Sequence, residues 1–381
     1  MDNKLVNELR SLRKHLHKNP ELSGEESNTS QYITNYVQQY EPDRILTGLG
    51  GHGVAVIYEW GNGSPEILIR CELDALPIHE SNSFEHRSKN HDVSHKCGHD
   101  GHMTMVAGLC PFLQQATFQN GRVVLLFQPA EEIGSGAQSV LKDRLFEAIN
   151  PNYAFALHNI PGHPMSEVIL PRDYFNATVQ SCRINLNGRT SHAAEPELGI
   201  NPSVPIAELV QMCDTWQNPD VNDPFYSLIT PIHIVVGKPD YGISPGYGEL
   251  HLTMRSWSKE VMDSLKNKIL EGLEECQKRF NLEIDVAWID FFPGVVNHNE
   301  CFEMIMHAAS ENELSLHIPQ HPFKFGEDFG WFSQQYPSAM FGLGSGLHTP
   351  NLHNPSYDFP DGLTPVGIKL FKSLISQVLN S

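Results

Sequence analysis

Four short apolar runs, at residues 54–58, 67–71, 123–127 and 153–157, mark the first half of the chain, with helical stretches at about 103–112 and 137–149 among them. Runs of that length with no strict alternation fit strands buried in a sheet covered by helices, the α/β layered class. Such sheets place their chemistry on loops at the carboxyl ends of the strands. The character changes near Asn176. From there to about residue 290 the order reads strand (178–186), helix (202–216), strand (228–236), strand (249–256), helix (259–280), strand (282–289). That is the split βαβ of a ferredoxin-like domain. After Pro293 the chain returns to helix, a strand at 339–343 and a last helix at about 364–379. The expectation is therefore a layered αβα domain formed by residues 1–176 and 291–381, interrupted by an inserted ferredoxin-like α+β domain at 177–290. At the start, Leu5, Leu9, Leu12 and Leu16 share one helix face, and Asn19-Pro20 ends that helix. Ser23 to Glu26 has capping-box spacing and predicts a second helix with Ile33, Tyr36, Val37 and Tyr40 inward.

A length of 381 residues suggests two domains, or one large one with an insertion. An apolar content of 40% against 19% charged excludes global disorder. Asp+Glu of 45 against Lys+Arg of 26 gives a formal charge of −19, a poor match to nucleic acid or an anionic membrane. No apolar run approaches a membrane span. The first 18 residues carry basic groups without an apolar segment behind them, which is not the pattern of a secretory signal. Seven scattered cysteines, an odd number, predict reduced thiols and a cytoplasmic setting. Twenty histidines raise the prior for a metal site.

Several clusters carry chemistry. His95-Lys96-Cys97-Gly98-His99-Asp100-Gly101-His102 brings a thiol and imidazoles into a turn loosened by glycine, where Cys97 and His99 can aim at one point. A polar helix start with incidental histidines reads equally well. Glu131 and Glu132 follow the run at 123–127. One such carboxylate can bind metal while its neighbour accepts a proton, or both can be solvated. His158 ends another apolar run, and His353 sits in a proline-bounded loop; each alone is compatible with an ordinary structural histidine. His192 follows the first strand of the insertion, and Asp74 follows the run at 67–71.

Taken together and in order, these motifs resemble metallopeptidase family 20, the aminoacylase and carboxypeptidase group. The likeness is to the amidohydrolase branch of hippurate hydrolases, auxin–amino-acid conjugate hydrolases and N-acyl-amino-acid deacylases. The resemblance spans nearly the whole chain: RKHLHKNPELSGEE, DALP, HKCGHDGHM, FQPAEE, ALHN, SHAAEP, GINP, SPG, EDFG, MFGLG and LHNPSYDFPD. It implies a metal-dependent catalytic domain with an inserted lid and dimerisation domain. It also implies two divalent metal ions, Zn, Mn, Co or Ni, held by Cys97, His99, Glu132, His158 and His353, with Cys97 bridging. Glu131 would be the general base, Asp74 would orient a ligand imidazole, and His192 would reach the developing oxyanion. His52, His95 and His102 are left as structural or surface residues. Arg255, or main-chain N–H near Gly246, would take a substrate carboxylate. The implied activity is hydrolysis of an N-acyl amino acid or similar small amide by a cytoplasmic homodimer that engages neither nucleic acid nor membrane. A dipeptidase or carboxypeptidase on the same scaffold is the nearest alternative, and a catalytically inactive metal-binding scaffold is one of a different class. Glu72 stands where many members carry Asp, so its role is open, as is that of Phe323-Lys324-Phe325-Gly326 before the EDFG motif.

Overall fold

The computed structural model describes residues 2–380. Its contacts divide into two compact units. Among the described residues, the larger comprises 2–175, 295–320 and 327–380; the smaller comprises 176–294 and 321–326.

The larger unit is built on an eight-stranded sheet, in the order Arg44–Leu49, Gly53–Trp60, Gly121–Gln128, Glu66–Glu72, Tyr153–Ile160, Ser338–Gly344, Val168–Ile169, Leu316–His317. The four strands from Gly121–Gln128 to Ser338–Gly344 run parallel to one another. Their residues are almost all buried, because both faces are covered. On one face Ile67, Ile69, Val123, Leu125, Phe155 and Phe341 share a core with Leu9, Leu12 and Leu16 of the helix Asn3–Lys18 and with Phe371 and Leu374 of Thr364–Leu379. The alternate residues, such as Leu68, Val124, Leu126 and Ala154, are equally buried on the other face. The N-terminal helix is capped by the Asp2 carboxylate, which accepts from Leu5 N–H at 2.8 Å.

Some local expectations change. The second helix, Ser27–Gln38, has no side-chain cap: Ser23 Oγ donates to Asp74 instead, and Glu26 Oε1 accepts from the Gly24 and Ala130 N–H groups. The capping-box residues are thus spent on tertiary contacts. The single helix expected at 103–112 is His99–Ala107 followed by Cys110–Leu113. That at 137–149 is Gly136–Leu141 and a 3₁₀ turn, Arg144–Ala148. Pro111 admits only a fresh helix start. The strands Arg44–Leu49 and Val168–Ile169 gave no apolar run, being at or near an edge, or short. All seven cysteines are unpaired and buried.

The smaller unit is a four-stranded antiparallel sheet in the order Glu283–Phe292, Thr178–Asn187, Tyr247–Ser256, Ser227–Val236, with the helices Ser203–Trp216 and Lys259–Phe280 packed on one face. This is the ferredoxin-like arrangement. Cys182, Ile184, Leu186, Leu250, Leu252 and Met254 point into its core, alternating with polar neighbours. Residues 321–326, outside the insertion as read from sequence, pack here too: Phe323 bridges Asn176, and Arg255 Nε donates to Lys324 O at 2.9 Å. No described helix is long and apolar enough to cross a membrane.

Candidate metal centre

The candidate ligands come from loops and strand ends of the larger unit. Gly98 precedes the helix His99–Ala107 in a left-handed conformation, φ 93°, and a Cβ there would stand 2.4 Å from Asn159 Oδ1. Only glycine lets the chain turn against Asn159 and bring Cys97 and His99 onto one side. After the strand Gly121–Gln128 the chain kinks through Ala130, also at positive φ (52°), and delivers Glu131 and Glu132. His158 lies in the strand Tyr153–Ile160. His353, at φ 64°, donates its N–H to Lys96 O at 2.8 Å, which sets its loop beside Cys97.

These side chains converge. Ligand atoms of Cys97, His99 and His158 lie within 4.8 Å of one another, as do those of Cys97, Glu132 and His353, so Cys97 belongs to both sets. Cys97 Sγ is 3.4 Å from His158 Nε2. Glu132 is 3.8 Å from His99 Nε2 through Oε1 and 3.8 Å from His353 Nε2 through Oε2. Glu131 Oε2 is 3.9 Å from His99 Nε2.

The imidazoles are oriented from behind. His99 Nδ1 donates to the Asp74 carbonyl at 2.9 Å, with the Asp74 carboxylate at 3.5 Å, so Nε2 faces the carboxylates. Asp74 Oδ2 accepts from Glu132 N–H at 2.9 Å and from Ser23 Oγ at 2.7 Å. Against burial, His99 first, then the Glu132 and Ser23 bonds, hold the Asp74 carboxyl below its usual range. His158 Nδ1 donates to Asn159 O at 2.9 Å, turning Nε2 to Cys97.

The electrostatics call for cations. His99 Nε2 and Glu132 Oε1 are buried without a hydrogen-bond partner. Burial, opposed by His99 and reinforced by Asp74, pushes the Glu132 carboxyl up to about 7. Glu131 is raised well above the carboxylate range by burial and by Glu327, Glu132 and Asp328. Burial, Glu132 and Glu131 push the Cys97 thiol up. His158 is held neutral by burial and by His102. Burial likewise lowers His353, whereas His99, facing Asp74, Glu72 and Glu132, is raised against burial to about 10: the crowded carboxylates draw positive charge to this point. A thiol, imidazoles and crowded carboxylates around partnerless atoms fit divalent metal ions.

A second layer had no role in the sequence reading. Arg70, fully buried, donates from Nε to Gln128 at 2.9 Å, from Nη1 to Glu72, and from Nη2 to Asp328 at 2.7 Å and Glu327 at 2.9 Å. One guanidinium faces three carboxylates. Glu72, whose role was open, also accepts from His102 Nδ1 at 2.7 Å, while His102 Nε2 meets Asn159 Oδ1 at 2.5 Å. His102 therefore braces the Gly98 turn. The available signal was an arginine and a glutamate inside an otherwise apolar, buried strand. His95 is also buried.

The remaining candidates lie in the smaller unit. His192, exposed, pairs with Ile243, and its Nδ1 accepts from Ala194 N–H at 3.1 Å. Gly246 is glycine for packing reasons, since a Cβ there would stand 2.4 Å from Thr190 N. Gly246 and Arg255 stand at opposite ends of the strand Tyr247–Ser256, roughly 30 Å apart at strand rise. One small carboxylate cannot be held by both.

The family model described as peptidase family M20/M25/M40 matches residues 68–377. N-acetyl-L-cysteine deacetylase of Bacillus subtilis is 30% identical over 359 residues, covering 93% of this chain and 84% of its own. N-acetyldiaminopimelate deacetylase of the same organism is 29% identical over 352 residues, covering 91% and 94%. The fold matches a crystal structure from B. subtilis described as a dinuclear metal binding peptidase of the M20 family, with TM-score 0.84 at 24% identity over 100% of this chain and 99% of that one. With the family model matching well over half its length, this chain belongs to peptidase family M20/M25/M40.

Proposed function

We propose that the chain hydrolyses the amide bond of N-acyl amino acids or similar small amides, using two divalent cations held by Cys97, His99, Glu132, His158 and His353. One observation carries the reading: thiol, imidazole and carboxylate donors from four separated segments converge around His99 Nε2 and Glu132 Oε1, with a further carboxylate, Glu131, alongside. The names of the B. subtilis deacetylases support the N-acyl substrate class. Mixed S, N and O donors suit Zn, Mn, Co or Ni. When bound, such cations supply Lewis acidity toward the scissile carbonyl and ease the ionisation of water.

The side chains do the rest. Glu131 takes a proton from the attacking water and returns it to the leaving amine. The buried, acid-rich surroundings that favour its protonated form let it hold that proton between the two steps. Asp74 keeps His99 and Glu132 in register. His192, with Nδ1 occupied as an acceptor, offers an Nε2 proton to the developing oxyanion. Arg255, or main-chain N–H near Gly246, receives a free carboxylate on the substrate. The inserted domain serves as lid and dimer contact. Its edge strand Ser227–Val236 exposes Ile232, Ile234 and Val235, which supports a two-fold homodimer formed there. Seven unpaired cysteines and a charge of −19 support a cytoplasmic enzyme of small molecules.

The test is reconstitution of metal-stripped protein with Zn, Mn, Co or Ni against N-acetyl and N-benzoyl amino acids, their carboxamides and dipeptides. Turnover of the N-acyl acids, lost on chelation and weakened by amidating the carboxylate, is expected. Turnover of dipeptides alone moves the reading to a dipeptidase. No turnover at full metal content makes the chain a scaffold.

A further inference from the structure

The polar loop between Leu76 and Ser94 is closed at its base by paired main-chain bonds, Leu76 N–H to Ser94 O at 3.1 Å and Ser94 N–H to Leu76 O at 3.0 Å. Inside it, Ser94 Oγ donates to Ile78 O at 2.6 Å, and Ser88 Oγ to Val93 O at 2.7 Å. Glu80 accepts from Ser88 N–H and from Lys96 Nζ, each at 2.6 Å. The two legs are thus fixed side by side. His79 leaves one leg three residues after Leu76. His91 and Asp92 leave the other just before Ser94, with Asp92 left-handed at φ 59°, a conformation aspartate tolerates.

These three side chains meet. Asp92 Oδ1 is 3.0 Å from His79 Nδ1, and Oδ2 is 2.6 Å from His91 Nδ1; the rings are 5.3 Å apart and tilted by 51°. Their ligand atoms all lie within 4.8 Å of one another. Bonds of about 2.0–2.2 Å in tetrahedral geometry separate donor atoms by about 3.4 Å, so a cation would ask the Asp92–His79 contact to open by about 0.4 Å and the Asp92–His91 contact by about 0.8 Å. None of the three residues belongs to the Cys97 centre. Their side chains are 67%, 82% and 58% exposed in chain order, so an ion can enter from solvent and complete its shell with water.

We propose that His79, His91 and Asp92 form a further divalent-cation site, selective for imidazole-preferring ions of the zinc, nickel and copper class over magnesium or calcium. Two neutral imidazoles and one carboxylate supply three ligands and leave coordination positions open. The bound ion clips the base of the loop that carries Glu80 and His86. Those residues reach His17 at 3.0 Å and Asp358 at 3.1 Å, so the clip stiffens that loop where it meets the buried Arg13–His17–Asp100 cluster.

The experiment uses untagged full-length chain, equilibrated with excess zinc and freed of unbound ion. Metal per chain is counted for the unaltered protein and for His79→Ala, His91→Ala and Asp92→Asn. Each variant is expected to hold one equivalent fewer than the unaltered protein. With copper(II) titrated onto the zinc-loaded protein, the electron paramagnetic resonance spectrum should show two imidazole nitrogens, falling to one in either histidine variant. Equal metal content in all four proteins, or a copper spectrum indifferent to these substitutions, overturns the site. Asp92→Asn preserves shape and left-handed preference and serves should a histidine variant fold poorly. Because the count is a difference between proteins, it is independent of what the Cys97 centre holds or does.

Discussion

In the larger unit the parallel strands are buried on both faces, so a charged side chain on them must be compensated from within: Arg70 by Glu72, Glu327 and Asp328. In the smaller unit one face of the sheet is polar and accessible, and Arg183, His251 and Glu249 stand there beside solvent. The same residue types thus carry different weight. The Arg70 guanidinium inside the first sheet is part of an electrostatic device, whereas that of Arg183 on the second is surface. What decides is the number of covered faces, which topology fixes before any side chain is considered.

The sharpest way to break this contrast is at the carboxylates. Glu131→Gln should keep its metal and lose roughly 10²–10⁴-fold in kcat, by steady-state kinetics with metal analysis alongside. Normal turnover would remove Glu131 from proton transfer. Next, Arg70→Met should leave three buried carboxylates without their cation and lower unfolding stability by about 3–5 kcal/mol in a denaturant titration. A loss below about 1 kcal/mol would mean the network is self-neutralising, through protonation of Glu327 or Asp328.

A pH series probes the same principle at His17, buried between Asp100 at 2.8 Å and Glu80 at 3.0 Å. Burial opposes its charge, but the two carboxylates prevail and raise it to about 9. The folded state therefore binds a proton more tightly than the unfolded chain, whose imidazole titrates near 6.5. The stabilisation is complete below pH 6.5 and is lost as pH rises towards 9, amounting to roughly 3 kcal/mol. Denaturation midpoints should fall across that window, and His17→Gln should flatten the fall. The smallest effect is expected of Arg183→Met on the accessible face, a stability change within about 0.5 kcal/mol. A change as large as that of Arg70→Met would erase the distinction.

The strands buried on both faces were legible because unbroken apolar runs have few other uses, and the helices Lys259–Phe280 and Thr364–Leu379 match their expected spans because one apolar face persists through each. Helix starts near the centre were not, since Ser23 and Glu26 have capping identities but are engaged by Asp74 and Ala130, more than 50 residues away. Cys97, His99, Glu132, His158 and His353 could be named from motif order, and they lie together. Arg70, Gln128 and Asp328 could not be grouped. Their partnership is a matter of strand neighbours, Arg70 beside Leu126 and Glu72 beside Gln128, which the chain alone does not display.

The discontinuity of the larger unit has a consequence for how the molecule is made. Arg13 bonds to Asp358 and Asp361, 345 and 348 residues further on, and His353 approaches Glu132 across 221 positions. During synthesis most of the smaller unit can close as soon as residue 294 has emerged. The larger must wait with an unfinished sheet until the strand Ser338–Gly344 and the helix Thr364–Leu379 arrive. The nascent chain therefore carries a nearly completed insertion on an open frame, and the candidate metal centre is among the last parts to assemble.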